Sequence, residues 1–264
     1  MQAYIAIGLF SILLAILGFF CAGDLCFAYC RNRDNKRRLF KALEEGTKPE
    51  INVLGDKLLP RPTIVNLLKN LFQPDNDQSF YYTICGEHGT GKTTLVKIAS
   101  REVGRGVIYI DVPPNVRDFG GEFGKAINFS FEERVSVIQQ LIRKLGSTDS
   151  EFISLPHFIH LTFFLTLISF LIGEYGDPKW MRAMKAFKRV AEKYKVKYGR
   201  PAVIIYDNVS RLAHQNPEIL DILQDDAKDN ADSRTYMAVF VSSEGLVPRR
   251  MECKYRHYFC SLRK

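Results

Sequence analysis

Gly86-Glu87-His88-Gly89-Thr90-Gly91-Lys92-Thr93 fit the pattern G-x-x-x-x-G-K-[ST] without a mismatch. Glycines in such a stretch let successive backbone N–H groups turn inward around an anion. The lysine supplies a cation to terminal phosphate oxygens, and the hydroxyl beside it suits Mg2+. The spacing from Gly91 to Val103 predicts a helix whose positive end faces the same anion. Gly86, Glu87, His88, Gly89, Thr90, Gly91, Lys92 and Thr93, with Thr94 counted among them, are therefore the candidate phosphate-binding residues. Glu87 and His88 fall at variable positions and are assigned no chemistry.

A phosphate loop also needs an acid at the end of a neighbouring strand to hold Mg2+ through water. Asp207 directly follows the apolar run Val203-Ile204-Ile205-Tyr206 and is the best candidate, so Thr93 and Asp207 form the expected metal set. Asp111 is the rival, but it lies only 18 residues after Thr93, which puts it on the second strand.

The elements that must position these residues are legible as short apolar runs. Phe80 to Cys85, Val107 to Val112, Pro201 to Tyr206 and Met237 to Val241 read as buried strands. Between them lie the helix after the glycine loop, an amphipathic segment at Phe131 to Leu145, and a helix opened by Pro217 and capped by Asn216. Apolar strands alternating with helices predict an α/β fold with a mainly parallel sheet covered on both faces. Leu155 to Ile172 has no formal charge and is nearly long enough to span a bilayer. A second crossing would put Asp207 and the glycine loop on opposite sides of the membrane, so a buried or surface helix is expected there.

The 264 residues carry 37 Lys or Arg against 29 Asp or Glu, yet the excess is local. Arg31 to Lys41 holds six cations and one acid, and Lys179 to Arg200 holds nine and one, so the remainder is net acidic. Nucleic acid is therefore ranked last among partners. Ala3 to Ala22 is an uncharged run of twenty residues followed by the first basic cluster, the pattern of a transmembrane helix with positive-inside topology. The expected layout is an anchor over 1–30, a basic juxtamembrane linker over 31–50 and a catalytic-type domain over 51–264 on the cytosolic side. The second basic stretch has Trp180, Met184, Phe187, Ala191 and Tyr194 on one face. Its other face is expected to be solvated, to meet anionic lipid, or to dock on the acidic segment Glu218 to Asp232. Six cysteines show no disulfide framework, and Cys253, His257 and Cys260 are too few for a confident metal site.

Gly86 to Thr93, Val203 to Asn208 and Val239 to Ser243 resemble the Walker A, Walker B and sensor 1 elements of AAA+/STAND P-loop ATPases, particularly the archaeal-type branch. The resemblance spans roughly Ile51 to Arg250 and implies a three-layer P-loop NTPase sandwich with strand order 5-1-4-3-2. It implies ATP and Mg2+ as ligands, with Lys92, Asp207, Asn208 and Ser242 as the catalytic set and Ser243 as the alternative to Ser242. Val53-Leu54-Gly55 and Leu59-Pro60-Arg61-Pro62 are similar to the family segment that packs near adenine.

Two departures shape the functional expectation. The family usually carries a second acid after the Walker B aspartate, where this chain has Asn208. An amide can orient a water but cannot take its proton, so hydrolysis is expected to be slow or absent unless Glu244 substitutes. Only 14 residues follow Arg250, room for a fifth strand over Tyr255 to Leu262 but not for a helical lid. Arg249 and Arg250 are weighed as phosphate sensors against ordinary surface arginines. The expected function is ATP–Mg2+ binding at a membrane, with slow hydrolysis or a non-hydrolysing scaffold as the two modes. A protein partner is expected but unspecified, and a homo-oligomer is left open.

Overall fold

Four apolar runs, each ended by glycine, proline or a polar residue, form a single sheet: β1 (Tyr82–Cys85), β2 (Val107–Asp111), β3 (Ala202–Asp207) and β4 (Tyr236–Ser242). The computed structural model describes residues 2–51, 60–131, 177–243 and 245–254. The strands lie in the order β1-β4-β3-β2, all pairs parallel, with Cys85 opposite Ser242 and Asp111 opposite Asp207. The expected order is 5-1-4-3-2; the described residues hold four strands, in the order 1-4-3-2. After β4 the chain enters a helix, and the residues proposed for the fifth strand lie outside the description. So do all but the first residue of the segment Phe131 to Leu145, the segment Leu155 to Ile172, and Glu244.

Parallel neighbours require crossovers, and helices supply them. Among the described residues the α-helices are α1 (Gln2–Glu45), α2 (Pro62–Leu71), α3 (Lys92–Val103), α4 (Phe119–Ala126), α5 (Lys179–Tyr198), α6 (Ser210–Gln215), α7 (Pro217–Asp232) and α8 (Leu246–Lys254). Side chains alternate across each strand, so the two faces of the sheet build different cores. On one face Val107, Tyr109, Val203, Ile205, Met237 and Val239 pack with Val65, Leu68 and Phe72 of α2 and its neighbouring turn and with Leu95, Val96 and Ala99 of α3. On the other, Tyr206 meets Phe119 and Phe123 of α4 and stacks on Phe240, while Phe187 of α5 stands edge-on to Tyr236. Truncating an aromatic of this kind costs about 3–5 kcal/mol.

Glycine content hid α4 from sequence pattern, because Gly120, Gly121 and Gly124 oppose helix formation. The structure shows what Gly120 provides: a Cβ there would lie 2.6 Å from Lys179 Cβ and 2.7 Å from the Trp180 backbone nitrogen. The missing side chain lets α4 seat directly on the start of α5. Asn216 stands at the N-cap of α7 as expected, but its side chain makes no capping bond, and Pro217 alone marks the start.

Cα packing divides the chain into two units, Met1–Asn35 with Ser130–Asp177, and Lys36–Phe129 with Pro178–Lys264. In the first, the Asn35 amide donates to the Ser130 carbonyl at 2.7 Å and accepts from the Ser130 N–H at 2.9 Å. Ala3–Ala22 is helical within α1, with most of its side chains outside the description. Among the described residues no helix is long and apolar enough to cross a membrane. The second unit holds the sheet. There Leu43 to Thr47 lines the outer edge of β2 through Gly106 N–H to Leu43 O and Thr47 N–H to Val107 O, both 2.9 Å, which covers an otherwise open strand edge. The basic helix α5 and the acidic helix α7 are joined by Lys188 and Asp226, and Asp226 also accepts from the Tyr236 hydroxyl.

Candidate functional site

The glycine loop runs from the end of β1 to the first residue of α3. Gly89 and Gly91 have φ of +79° and +82°, a region that L side chains seldom adopt, which is the physical reason for glycine at both. The Lys92 ammonium folds back into the loop, donating to Gly86 O at 2.8 Å, Glu87 O at 2.7 Å and Thr90 Oγ1 at 3.1 Å. Thr90 Oγ1 in turn donates to Glu87 O at 2.9 Å, and Arg61, just before α2, reaches Thr90 O at 3.4 Å. Removal from water holds the Lys92 ammonium below the usual lysine range, with Cys85, Asp207 and Glu87 acting the other way. An anion seated over the loop would restore that proton affinity.

Asp207 ends β3 and is almost fully buried. Its carboxylate accepts from the Tyr109 hydroxyl at 2.7 Å and the Asn208 N–H at 2.8 Å, and it bonds the Thr93 side chain. Burial pushes the Asp207 carboxyl above the usual range, and these three donors oppose the shift. The loop hydroxyl and the strand carboxylate therefore stand together before any ligand arrives. One carboxylate and one hydroxyl suit Mg2+, which keeps several waters of its own.

A cleft of about 300 Å³ opens at this edge of the sheet, lined by His88, Gly89, Gly91, Lys92, Thr93, Thr94, Asp207, Asn208, Val241, Ser242 and Ser243. Gly86, Glu87 and Thr90 contribute from beneath, through the oxygens that hold Lys92. Ser242 is buried at the end of β4 and Ser243 is half-exposed beside it. Asn208 has a φ of +59°, which asparagine tolerates better than most residues. Its Nδ2 donates to Asp111 Oδ1 at 2.8 Å, and Arg211 Nη1 approaches the same oxygen at 3.4 Å. Asp111 is thus a partner of Asn208, and Asp207 is the carboxylate beside Thr93.

Several candidates take other places. Arg250 is engaged elsewhere: its guanidinium grips Asp221 of α7 through Nε at 2.8 Å and Nη2 at 2.6 Å. Among the described residues no group of His, Cys, Asp and Glu could hold a metal by itself, and His257 and Cys260 lie outside them. Tyr109 and Arg211 were missed by sequence reading. Tyr109 sits mid-strand in an apolar run where an aromatic signals core, and only its register one strand from β3 reveals the hydroxyl's partner.

The sheet order, the glycine loop feeding α3 and the acid at the end of β3 define a P-loop nucleotide-binding protein. Residues 82–244 match the model of the AAA family, the ATPase family associated with various cellular activities, and the chain belongs to that family. Among solved structures it is similar to the Walker-type ATPase PABY2304 of Pyrococcus abyssi, at 14% identity and a TM-score of 0.43. That similarity covers 81% of this chain and 55% of the other, so this chain spans about half of that protein's length. No curated protein matches the sequence significantly.

Proposed function

We propose that the chain is a membrane-anchored ATP-binding protein of the AAA type that holds ATP with Mg2+ in the cleft and hydrolyses it slowly to drive a conformational switch. The observation that carries this reading is the meeting of Lys92, Thr93 and Asp207 at one mouth, two from the loop and one from β3. Lys92 would exchange its three loop oxygens for phosphate oxygens, and the N-terminal N–H groups of α3 would face the same anion. Thr93 and Asp207 would hold Mg2+, which supplies charge neutralisation when bound. Ser242 or Ser243, which line the cleft at the end of β4, would sense the terminal phosphate. The uncharged run Ala3–Ala22 and the cations from Arg31 to Lys41 support the anchor and a cytosolic ATPase domain.

Asn208 favours a second mode, a nucleotide-gated scaffold with no meaningful turnover. Phosphate release by the full chain separates the two. Steady release that Lys92→Ala abolishes supports slow hydrolysis, whereas binding without release supports the scaffold. Partition of the chain into membranes that survives alkaline extraction, and is lost on removing residues 1–30, tests the anchor.

A further inference from the structure

The geometry around Asn208 leaves one group unexplained by nucleotide binding, the half-exposed carboxylate of Asp111. A carboxylate only accepts hydrogen bonds, so the 2.8 Å contact fixes which end of the Asn208 amide faces it: the nitrogen. Oδ1 is then the amide's remaining acceptor, on a residue that lines the cleft beside Lys92, Thr93 and Asp207. Asp111 is absent from the cleft's lining, and its side chain reaches the cleft by its hydrogen bond to Asn208. Arg211 holds Asp111 from a third position, in the first turn of α6, and also donates to the Val112 carbonyl. Two strands and a helix therefore fix the orientation of one amide.

We infer that Asp111 and Asn208 are a positioning pair for hydrolysis. Asp111 sets the amide so that Asn208 Oδ1 orients a water at the terminal phosphate, while the carboxylate that could take the water's proton stands one strand away. The inference rests on the reading of the cleft as an ATP–Mg2+ site. In hydrolysis the water oxygen bonds to the terminal phosphorus, the bridge to the β-phosphate breaks, and its electron pair leaves with ADP. The water's proton passes to a phosphate oxygen in this chain, because an amide takes none. Exchanging the two side chains would keep their hydrogen bond and bring the carboxylate to the cleft. The left-handed backbone at position 208 makes aspartate the suitable replacement, since it tolerates that region much as asparagine does.

The test compares the full chain with D111N, N208D and the double variant D111N/N208D, reading nucleotide affinity with a fluorescent ATP analogue, phosphate release and melting temperature. D111N is expected to lower turnover by about tenfold with affinity nearly unchanged, the signature of lost positioning. The double variant is expected to turn over at least about tenfold faster than wild type, and N208D alone to gain less, because its new carboxylate faces Asp111. A folded, nucleotide-binding double variant no faster than wild type overturns the pair, as does D111N with wild-type turnover. If wild type releases no phosphate, the double variant decides. If the double variant melts early, N208D decides by the same criterion. A folded wild-type chain that binds no nucleotide overturns the reading of the cleft, and the pair with it.

Discussion

The Tyr109 hydroxyl on β2 donates to Asp207 Oδ2 on β3 at 2.7 Å, and both groups are buried. A buried carboxylate is costly unless hydrogen-bonded, and Tyr109 is its only side-chain donor from the sheet among the described residues. Tyr109→Phe is expected to destabilise the nucleotide-free protein by about 1.5–3 kcal/mol, the range for a hydrogen bond to a charged group. It is also expected to weaken the dependence of nucleotide affinity on Mg2+. Urea unfolding and a Mg2+ titration at fixed nucleotide check the two arms.

Burial lifts the Asp207 carboxyl above its ordinary value of 3.8, so the folded chain binds that proton more readily than the unfolded chain. Stability then falls as pH rises through the window between 3.8 and the raised value, and the full penalty is present above that window. Asp207→Asn is expected to melt above wild type at pH above that window without Mg2+, with the difference shrinking as pH is lowered through it. The Tyr109 hydroxyl can accept from the new amide, which keeps the site satisfied. Melting curves across pH, with Mg2+ chelated, check the direction. A difference that grows on acidification would contradict it.

Arg250 and Asp221 join α8 to α7 through two charge-assisted hydrogen bonds. The pair is partly solvated, and its role is to fasten the helix that follows β4. Arg250→Ala is expected to lower the melting temperature slightly and to leave nucleotide affinity and turnover as in wild type. A large loss of affinity at unchanged stability would return Arg250 to the phosphate site.

The strands were readable because a parallel sheet covered on both faces needs unbroken apolar runs, and Val107–Asp111 and Ala202–Asp207 are such runs. The loop was readable because its glycines and Lys92 are demanded by backbone geometry and charge. What sequence could not supply were relationships across the sheet. Asp111 looked like a rival to Asp207 until their parallel register put both at one edge, with Asn208 bonded to the first. Arg250 looked free because its partner lies 29 residues earlier on a different helix. Helix α4 went unread because glycines chosen for close packing are the same residues that signal a loop.

The most direct measurement is a calorimetric titration of the full chain with ATP, with and without Mg2+, beside Lys92→Ala. Saturable one-site binding that Mg2+ strengthens and the substitution abolishes is the expected result. Equal binding by a folded Lys92→Ala chain, or no binding by folded wild type, would contradict the assignment of Lys92, Thr93 and Asp207 to an ATP–Mg2+ site.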